Sequence, residues 1–285
     1  MLLRQNYNKN KKTQKVYLFT NARDEKNIKE WASHHLLIGF DNIIIFDHLS
    51  NPPLKNYFVN FDKRILVIPC NWENPVKLKL MKLASSIASK NNADWMLYLD
   101  ADEYLILNAF PGVKKMLDLY PGADSLGINW LMFGTNNHVK EPQGGLIDNY
   151  TKSDLFLDKH VKTFVRPKEV VSITNPHYYN IFNKNNIRHI SGANIPNSHP
   201  NGYAFFPIKN VFYNSLAYIA HYHYQSEESY TRRKNKRNQD DGSGNRAKDE
   251  NIHSHHNIVD NETIKSKYSE NLKNFITSKT NNNII

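Results

Sequence analysis

The sequence has one cysteine, Cys70, so no intrachain disulfide can brace it and a small disulfide-stapled scaffold is excluded. No apolar run approaches the roughly 18–20 residues that a membrane-spanning helix needs. The N-terminal stretch is polar and lacks the apolar segment of a signal peptide. These features lead us to expect a soluble, cytoplasmic protein with no membrane anchor. Glycine is sparse, at 11 of 285 residues, and none falls in the Asn21–Glu25 turn. A nucleotidyltransferase on a similar sheet would want a glycine-rich phosphate loop there. The chain is, however, 40% hydrophobic and 12% aromatic, which excludes disorder throughout and supports one large domain with a sizeable core.

The net charge of +10 suggests a nucleic-acid partner, but its distribution argues otherwise. Arg4, Lys9, Lys11, Lys12 and Lys15 lie in residues 1–15 with no acid, and Arg232, Arg233, Lys234, Lys236 and Arg237 lie in 232–237 with no acid. These two segments hold the whole excess, and the rest is formally neutral. A basic tip and a basic segment suit an anionic surface or plain solvation, and no nucleic-acid module is visible.

From residue 16 the pattern alternates strand and helix. Val16–Thr20, Asn42–Asp47, Ile65–Pro69, Trp95–Leu99 and Ser125–Phe133 read as buried strands. Glu25–Ile38 carries Ile28, Trp31, His35 and Ile38 at helical spacing, and Gly39 ends it. Asn74 and Pro75 open a second helix with the stripe Val76, Leu80, Leu83 and Ile87. Such alternation predicts an α/β fold with a mostly parallel, Rossmann-like sheet flanked by helices. Residues 134–160 are loop-rich. Val161–Arg166, Val170–Ile173 and Val211–Tyr224 read as strands, and Ser226–Asn238 as a basic helical segment. The expected division is a basic tip over 1–15, an α/β domain over 16–239, and a polar, partly flexible tail over 240–285.

Ligands of such sheets bind beyond the carboxyl ends of the strands. There the chain places Asn21, Arg23, Asp24 and Glu25, then Asp47, His48 and Ser50, then Asp100, Asp102 and Glu103. The run Trp95-Met-Leu-Tyr-Leu-Asp100-Ala-Asp102-Glu103 is the sharpest signal. Extended backbone puts Asp100 and Asp102 on one side. Paired carboxylates repel unless a cation joins them, and Mg2+ or Mn2+ would leave positions for substrate phosphates. The Asn21–Glu25 turn opens the first helix, where an anion is favoured. Asp47 is placed to accept ribose or base hydrogen bonds, or to shape a turn.

The ordered set of these motifs resembles the GT-A type glycosyltransferases of the DUF23, or family 92, group and their family 2-like relatives. The matching stretches are Arg23-Asp24-Glu25, Glu30-Trp31-Ala-Ser-His34-His35, Asp47-His-Leu-Ser50 and Asp100-Ala-Asp102-Glu103. Trp130-Leu-Met-Phe133-Gly134, Val161-Lys162-Thr-Phe-Val-Arg166-Pro167 and His221-Tyr222-His-Tyr-Gln225-Ser226 follow in order. Asp24 stands where the family often has Asn, and Gln225 where it often has Lys.

The resemblance implies a GT-A-like glycosyltransferase domain over 16–239, with the loop-rich segment in its acceptor half, and transfer of a sugar from a nucleotide-sugar donor, taken as UDP-linked, to a hydroxyl of a glycan or glycoprotein, with inversion. It implies Mn2+ or Mg2+ on Asp102 and His221, with Asp100 on the ribose or the metal. Asn21, Arg23, Glu25 and Asp47 would serve the nucleotide, and Lys162 and Arg166 the diphosphate. An inverting reaction needs a base near the acceptor. Glu141, Asp148 and Asp154 are the candidates, with Asp148 preferred for its place beside Gly144–Gly145. Trp130, Tyr178 and Tyr179 could stack on sugar faces or fill the core. His34 and His35 read as structural, and His253, His255 and His256 as metal-like residues in a polar segment. The alternative from another class is a nucleic-acid or anionic-surface binding protein that uses the basic segments.

Overall fold

A computed structural model describes residues 13–197, 202–235, 240–241 and 249–281, with Lys234, Asn235 and Asn281 described by backbone alone. Most of the basic tip and residues 236–239 and 242–248 lie outside the described residues. The strands are β1 (Val16–Ala22), β2 (Asn42–His48), β3 (Ile65–Cys70), β4 (Trp95–Tyr98), β5 (Glu103–Leu107), β6 (Ser125–Met132) and β7 (Lys152–Ser153). They continue with β8 (Val161–Val165), β9 (Val170–Ser172), β10 (Asn180–Ile181), β11 (Ile187–His189), β12 (Ala217–His221) and β13 (Val259–Asp260). The helices are α1 (Ile28–Leu37), α2 (Lys77–Lys90), α3 (Val113–Leu117), α4 (Leu146–Asn149), α5 (Glu227–Tyr230) and α6 (Thr263–Asn281).

One large sheet runs β3-β2-β1-β4-β8-β6-β12-β5, with β11 added beside β6. The pairings β3–β2, β2–β1, β1–β4, β6–β12 and β6–β11 are parallel, whereas β8 runs antiparallel to both β4 and β6, and β5 to β12. The mixed α/β class and mostly parallel sheet agree with the sequence pattern and with a Rossmann-like arrangement. All seven residues of β1 are buried, as expected of a strand covered on both faces. One apolar layer contains Ile28 and Trp31 of α1 and Leu272 of α6, and the other contains Leu80, Ala84 and Ala88 of α2.

Helix α1 grips β5 through polar side chains. Trp31 Nε1 donates to Glu103 O at 2.7 Å, and His34 Nε2 pairs with Leu105 O at 2.8 Å. His35 Nδ1 donates to Trp31 O at 2.8 Å while its Nε2 accepts from Leu105 N at 3.2 Å. One ring nitrogen donates and the other accepts, so His35 must be neutral. Burial holds the basicity of both histidines down, with His34 at about 4.

Several elements depart from the sequence expectation. Val211–Tyr224 is not one strand: a 3-10 turn over Phe212–Asn214 precedes β12, and Asn108 Nδ2 bonds Phe212 O and Ser215 O there. Ser226–Asn238 starts as the short α5 and widens into a π-type turn over Thr231–Asn235. The expected cap Asn74 does not hold α2; the amides of Val76 and Lys77 donate to the carbonyl of Asp240 at 2.9 and 3.0 Å. Within the expected polar tail, residues 263–281 are helical. They form α6, which packs on α1 through Ile264, Tyr268 and Leu272, with the Tyr268 ring 4.8 Å from His34. Those three residues form a narrow stripe at a spacing of four in a polar stretch, too thin to register beside the surrounding charge. Among the described residues, no helix is long and apolar enough to cross a membrane.

Glu30 of α1 is half-buried and accepts from Leu146 N, Ile147 N and Tyr104 Oη at 2.9, 3.3 and 3.1 Å, which fixes the start of α4. A side chain on Gly145 would collide with its carboxyl. Burial raises Glu30 to about 7, against hydrogen bonds that lower it. The folded state therefore keeps the proton to about pH 7, whereas the unfolded chain releases it near 4.5. This group's stabilisation is full below pH 4.5 and fades as pH rises through 7. Glu30→Gln should match wild type in melting temperature at pH 5 and exceed it at pH 8, by about 1–3 kcal/mol of stability. Paired thermal melts at the two pH values check this.

Candidate functional site

A cleft of about 380 Å³ opens at the carboxyl ends of β1, β4, β6 and β12. The antiparallel β8 enters with its amino end there, so Lys162 comes to the same place. The chain turns sharply after β4 and returns as β5, so Asp100 and Asp102 sit on a tight turn and not on extended backbone. The amide of Asp100 donates to Glu103 Oε2 at 2.9 Å, which closes the turn.

Each carboxylate of that turn meets different partners. Asp100 lies between two buried ammonium groups: Oδ1 pairs with Lys77 Nζ, and Oδ2 with Lys162 Nζ at 3.1 Å. Asp102 Oδ2 accepts from Arg233 Nη1 at 2.9 Å, and Asp102 Oδ1 faces His221 Nε2 at 3.6 Å. Lys162 also reaches Glu103 Oε2 at 3.3 Å, and Lys77 reaches Asp240 Oδ2 at 3.6 Å. Glu103 is fully buried, and that burial raises its carboxyl to about 7 although Lys162 opposes the shift. Burial likewise lowers Lys77 despite Asp240. His177 falls to about 3, through burial first and Lys162 second.

Asn21 completes the floor, giving Nδ2 to Asp240 at 2.5 Å and receiving Tyr98 Oη at 2.9 Å. Arg23 and Glu25 line the cleft on the same β1–α1 turn. Trp130 forms part of the wall, with its ring 4.5 Å from His221 and 5.9 Å from Lys162 Nζ. The structure thus brings together Asn21, Arg23, Glu25, Asp100, Asp102, Lys162 and His221.

Three expected site residues lie elsewhere. Both oxygens of Asp47 are used inside the following turn, on Ser50 N at 3.2 Å and Leu54 N at 2.8 Å. Arg166 sits at the far end of β8, bonded to Ala123 O at 2.9 Å and stacked 4.4 Å from Trp95. Asp148 faces α6, held by Ser269 Oγ at 2.5 Å and Lys273 Nζ at 2.9 Å. Among the other candidate bases, Glu141 is paired with Lys26 and Arg232, and Asp154 with His256. Tyr179 is core.

Lys77 and Asp240 were not singled out in the sequence, and Arg233 and His256 were read only as part of a basic run and of a metal-like histidine group, yet all four line the cleft. Arg233 belongs to the basic run, but it is buried on Asp102, and its neighbour Arg232 pairs with Glu141 at 2.8 Å. A charge run read along the sequence gave no sign of this. Lys77 could have been found, because it opens a helix beyond the carboxyl end of β3.

Among the described residues, no group of three or more His, Cys, Asp or Glu side chains could hold a metal unaided. Asp102 Oδ1 and His221 Nε2 offer one carboxylate oxygen and one imidazole nitrogen facing each other. That pair suits a divalent cation whose other positions go to phosphate oxygens and water.

No curated protein was found to match the chain. Among solved structures, Rv0371c of Mycobacterium tuberculosis H37Rv is 10% identical, with a TM-score of 0.30 over 42% of this chain and 67% of that one. A cytidylyltransferase of Leptospira borgpetersenii serovar Hardjo-bovis (strain JB197) is 13% identical, with a TM-score of 0.27 over 41% of this chain and 53% of the other. Neither is similar enough to assign a fold. The model of glycosyltransferase family 92, by contrast, matches residues 17–263, from β1 to the start of α6 and across every cleft residue named above. The chain belongs to glycosyltransferase family 92 and is a glycosyltransferase.

Proposed function

We propose that this glycosyltransferase is a metal-dependent, inverting enzyme of GT-A type. Its donor would be a nucleoside-diphosphate sugar, UDP-linked in our reading, and its acceptor a hydroxyl of a glycan or glycoprotein. The observation that carries the reading is the β4–β5 turn. It holds one carboxylate between two buried lysines and the other between a histidine and a buried arginine.

In this reading Asp102 and His221 hold Mn2+ or Mg2+, which when bound would offset charge on the departing diphosphate. Lys77, Lys162 and Arg233 line the same cleft and supply positive charge that is already desolvated. Cations fixed in a poorly hydrated cleft stabilise developing negative charge better than they would in water. Asp100 keeps the two ammonium groups in place before the donor arrives. The Asn21–Glu25 turn would take the nucleoside, and Trp130 would offer a flat apolar face to a sugar. Inversion rests on the family resemblance, as does the choice of UDP.

A thermal-shift screen of nucleoside diphosphates and nucleotide-sugars, with and without Mn2+, tests the reading. A matching nucleotide at 100 times its dissociation constant should add about 2.7 kcal/mol when the metal is present. Asp102→Ala should abolish that gain. If no nucleotide stabilises the wild type in either condition, the proposal fails.

Lys162 gives a second test. Lys162→Met leaves Asp100 and Glu103 short of a buried cation, so stability should fall by about 3 kcal/mol at pH 8. Because Glu103 can bind a proton near pH 7, the loss should be smaller at pH 6. Chemical denaturation at the two pH values reads the difference.

A further inference from the structure

The reading above assigns no residue to the acceptor's proton. Asp100, Asp102 and Asp240 are each engaged by a lysine or an arginine in the cleft. Asp148 faces α6. One imidazole on the cleft wall is held differently. His256 Nδ1 lies 2.8 Å from Asp154 Oδ2, and its Nε2 has no hydrogen-bond partner among the described residues. A carboxylate accepts, so Nδ1 carries the hydrogen, and in the neutral ring the lone pair is on Nε2.

The backbone around His256 is built to hold that ring. His256 has φ 58°, a left-handed conformation that a non-glycine residue adopts only when its surroundings require it. Asn257 supplies part of the requirement: its Oδ1 accepts from Asn136 N at 3.0 Å, and its Nδ2 donates to His253 O at 2.8 Å. The next residue, Ile258, donates its amide to Ser153 O at 3.2 Å, at the edge of the β7–β13 ladder. Gly134 lets the strap come close, since a Cβ there would lie 2.7 Å from the His256 backbone carbon. The Asp158–His160 pair is a poorer candidate. Its imidazole is stacked on Trp130, packs tilted against Phe205 and does not line the cleft.

We infer that His256, oriented by Asp154, is the general base that takes the proton of the acceptor hydroxyl. This inference rests on the glycosyltransferase reading of the cleft. The acceptor oxygen forms its bond to the anomeric carbon as the bond from that carbon to the diphosphate oxygen breaks. The electron pair of the broken bond leaves with the diphosphate. The hydroxyl proton passes to His256 Nε2, and the resulting imidazolium is stabilised by Asp154. Asp154 is the positioning residue, because it reaches the acceptor only through the ring.

The test uses the full chain with Mn2+ and the UDP-sugar that the wild type hydrolyses fastest, with UDP release as the readout. His256→Ala should retain Mn2+-dependent UDP binding and lose 10²- to 10⁴-fold in turnover, the range of a general base. Azide attacks without giving up a proton, so it should restore turnover in His256→Ala and yield the glycosyl azide. Asp154→Asn should lower kcat by a smaller factor and leave UDP affinity unchanged. Normal turnover in His256→Ala would overturn the inference. So would lost turnover that azide does not restore in a variant that still melts like wild type. If the wild type itself binds no nucleotide, the glycosyltransferase reading of the cleft fails first and the base assignment falls with it.

Discussion

Opposite charges buried together at the turn between β4 and β5 determine how this molecule is organised around its cleft. Lys77, Lys162 and Arg233 are set against Asp100, Asp102, Glu103 and Asp240, and few of these groups reach water. Removing any one leaves a partner uncompensated in a poorly solvated place, which is far more damaging than losing an exposed pair. The cluster also joins distant parts of the chain. Lys77 comes from α2, Lys162 from β8, Arg233 from the turn after α5, and Asp240 from beyond it. A nucleotide-sugar diphosphate with a divalent cation would enter as a roughly neutral pair. It could exchange partners with these groups without upsetting the local balance.

The sheet topology explains why those groups meet. Parallel strands β1, β4, β6 and β12 deliver their carboxyl ends to one side, where helical N-termini also gather. The antiparallel β8 then inserts its amino end between β4 and β6, so a lysine near its start arrives where the others end. The same geometry carries Arg166, just past the far end of β8, away from the cleft and onto Trp95.

Much of this was legible in the sequence. The apolar runs at Val16, Asn42 and Trp95 marked the strands, and the acids after the first and the last marked the edge of the cleft. Asp100, Asp102, Lys162 and His221 could be named because their motifs fall in order along the chain. Other features were not legible, and the reasons are physical. Asp47 and Asp148 have the right chemistry, but their oxygens are used locally, by amides after β2 and by Ser269 and Lys273 of α6. No local pattern reveals which partner a carboxylate will find. Arg233 looked solvated because its run is basic, yet burial on Asp102 depends on a π-type turn that sequence periodicity does not encode. His256 lay in a polar stretch, and its place depends on Asn257 and Gly134, which are more than 100 residues apart.

The central claim is that the cleft gathers a divalent cation and a nucleoside diphosphate around Asp102 and His221, with Lys77 and Lys162 facing the phosphates. Anomalous diffraction from crystals grown with Mn2+ and UDP addresses it directly. The account predicts one strong manganese peak within about 2.2 Å of both Asp102 Oδ1 and His221 Nε2, as such ligands require, with diphosphate density against the two lysines. A manganese peak away from this pair, or UDP bound outside the cleft, would contradict it.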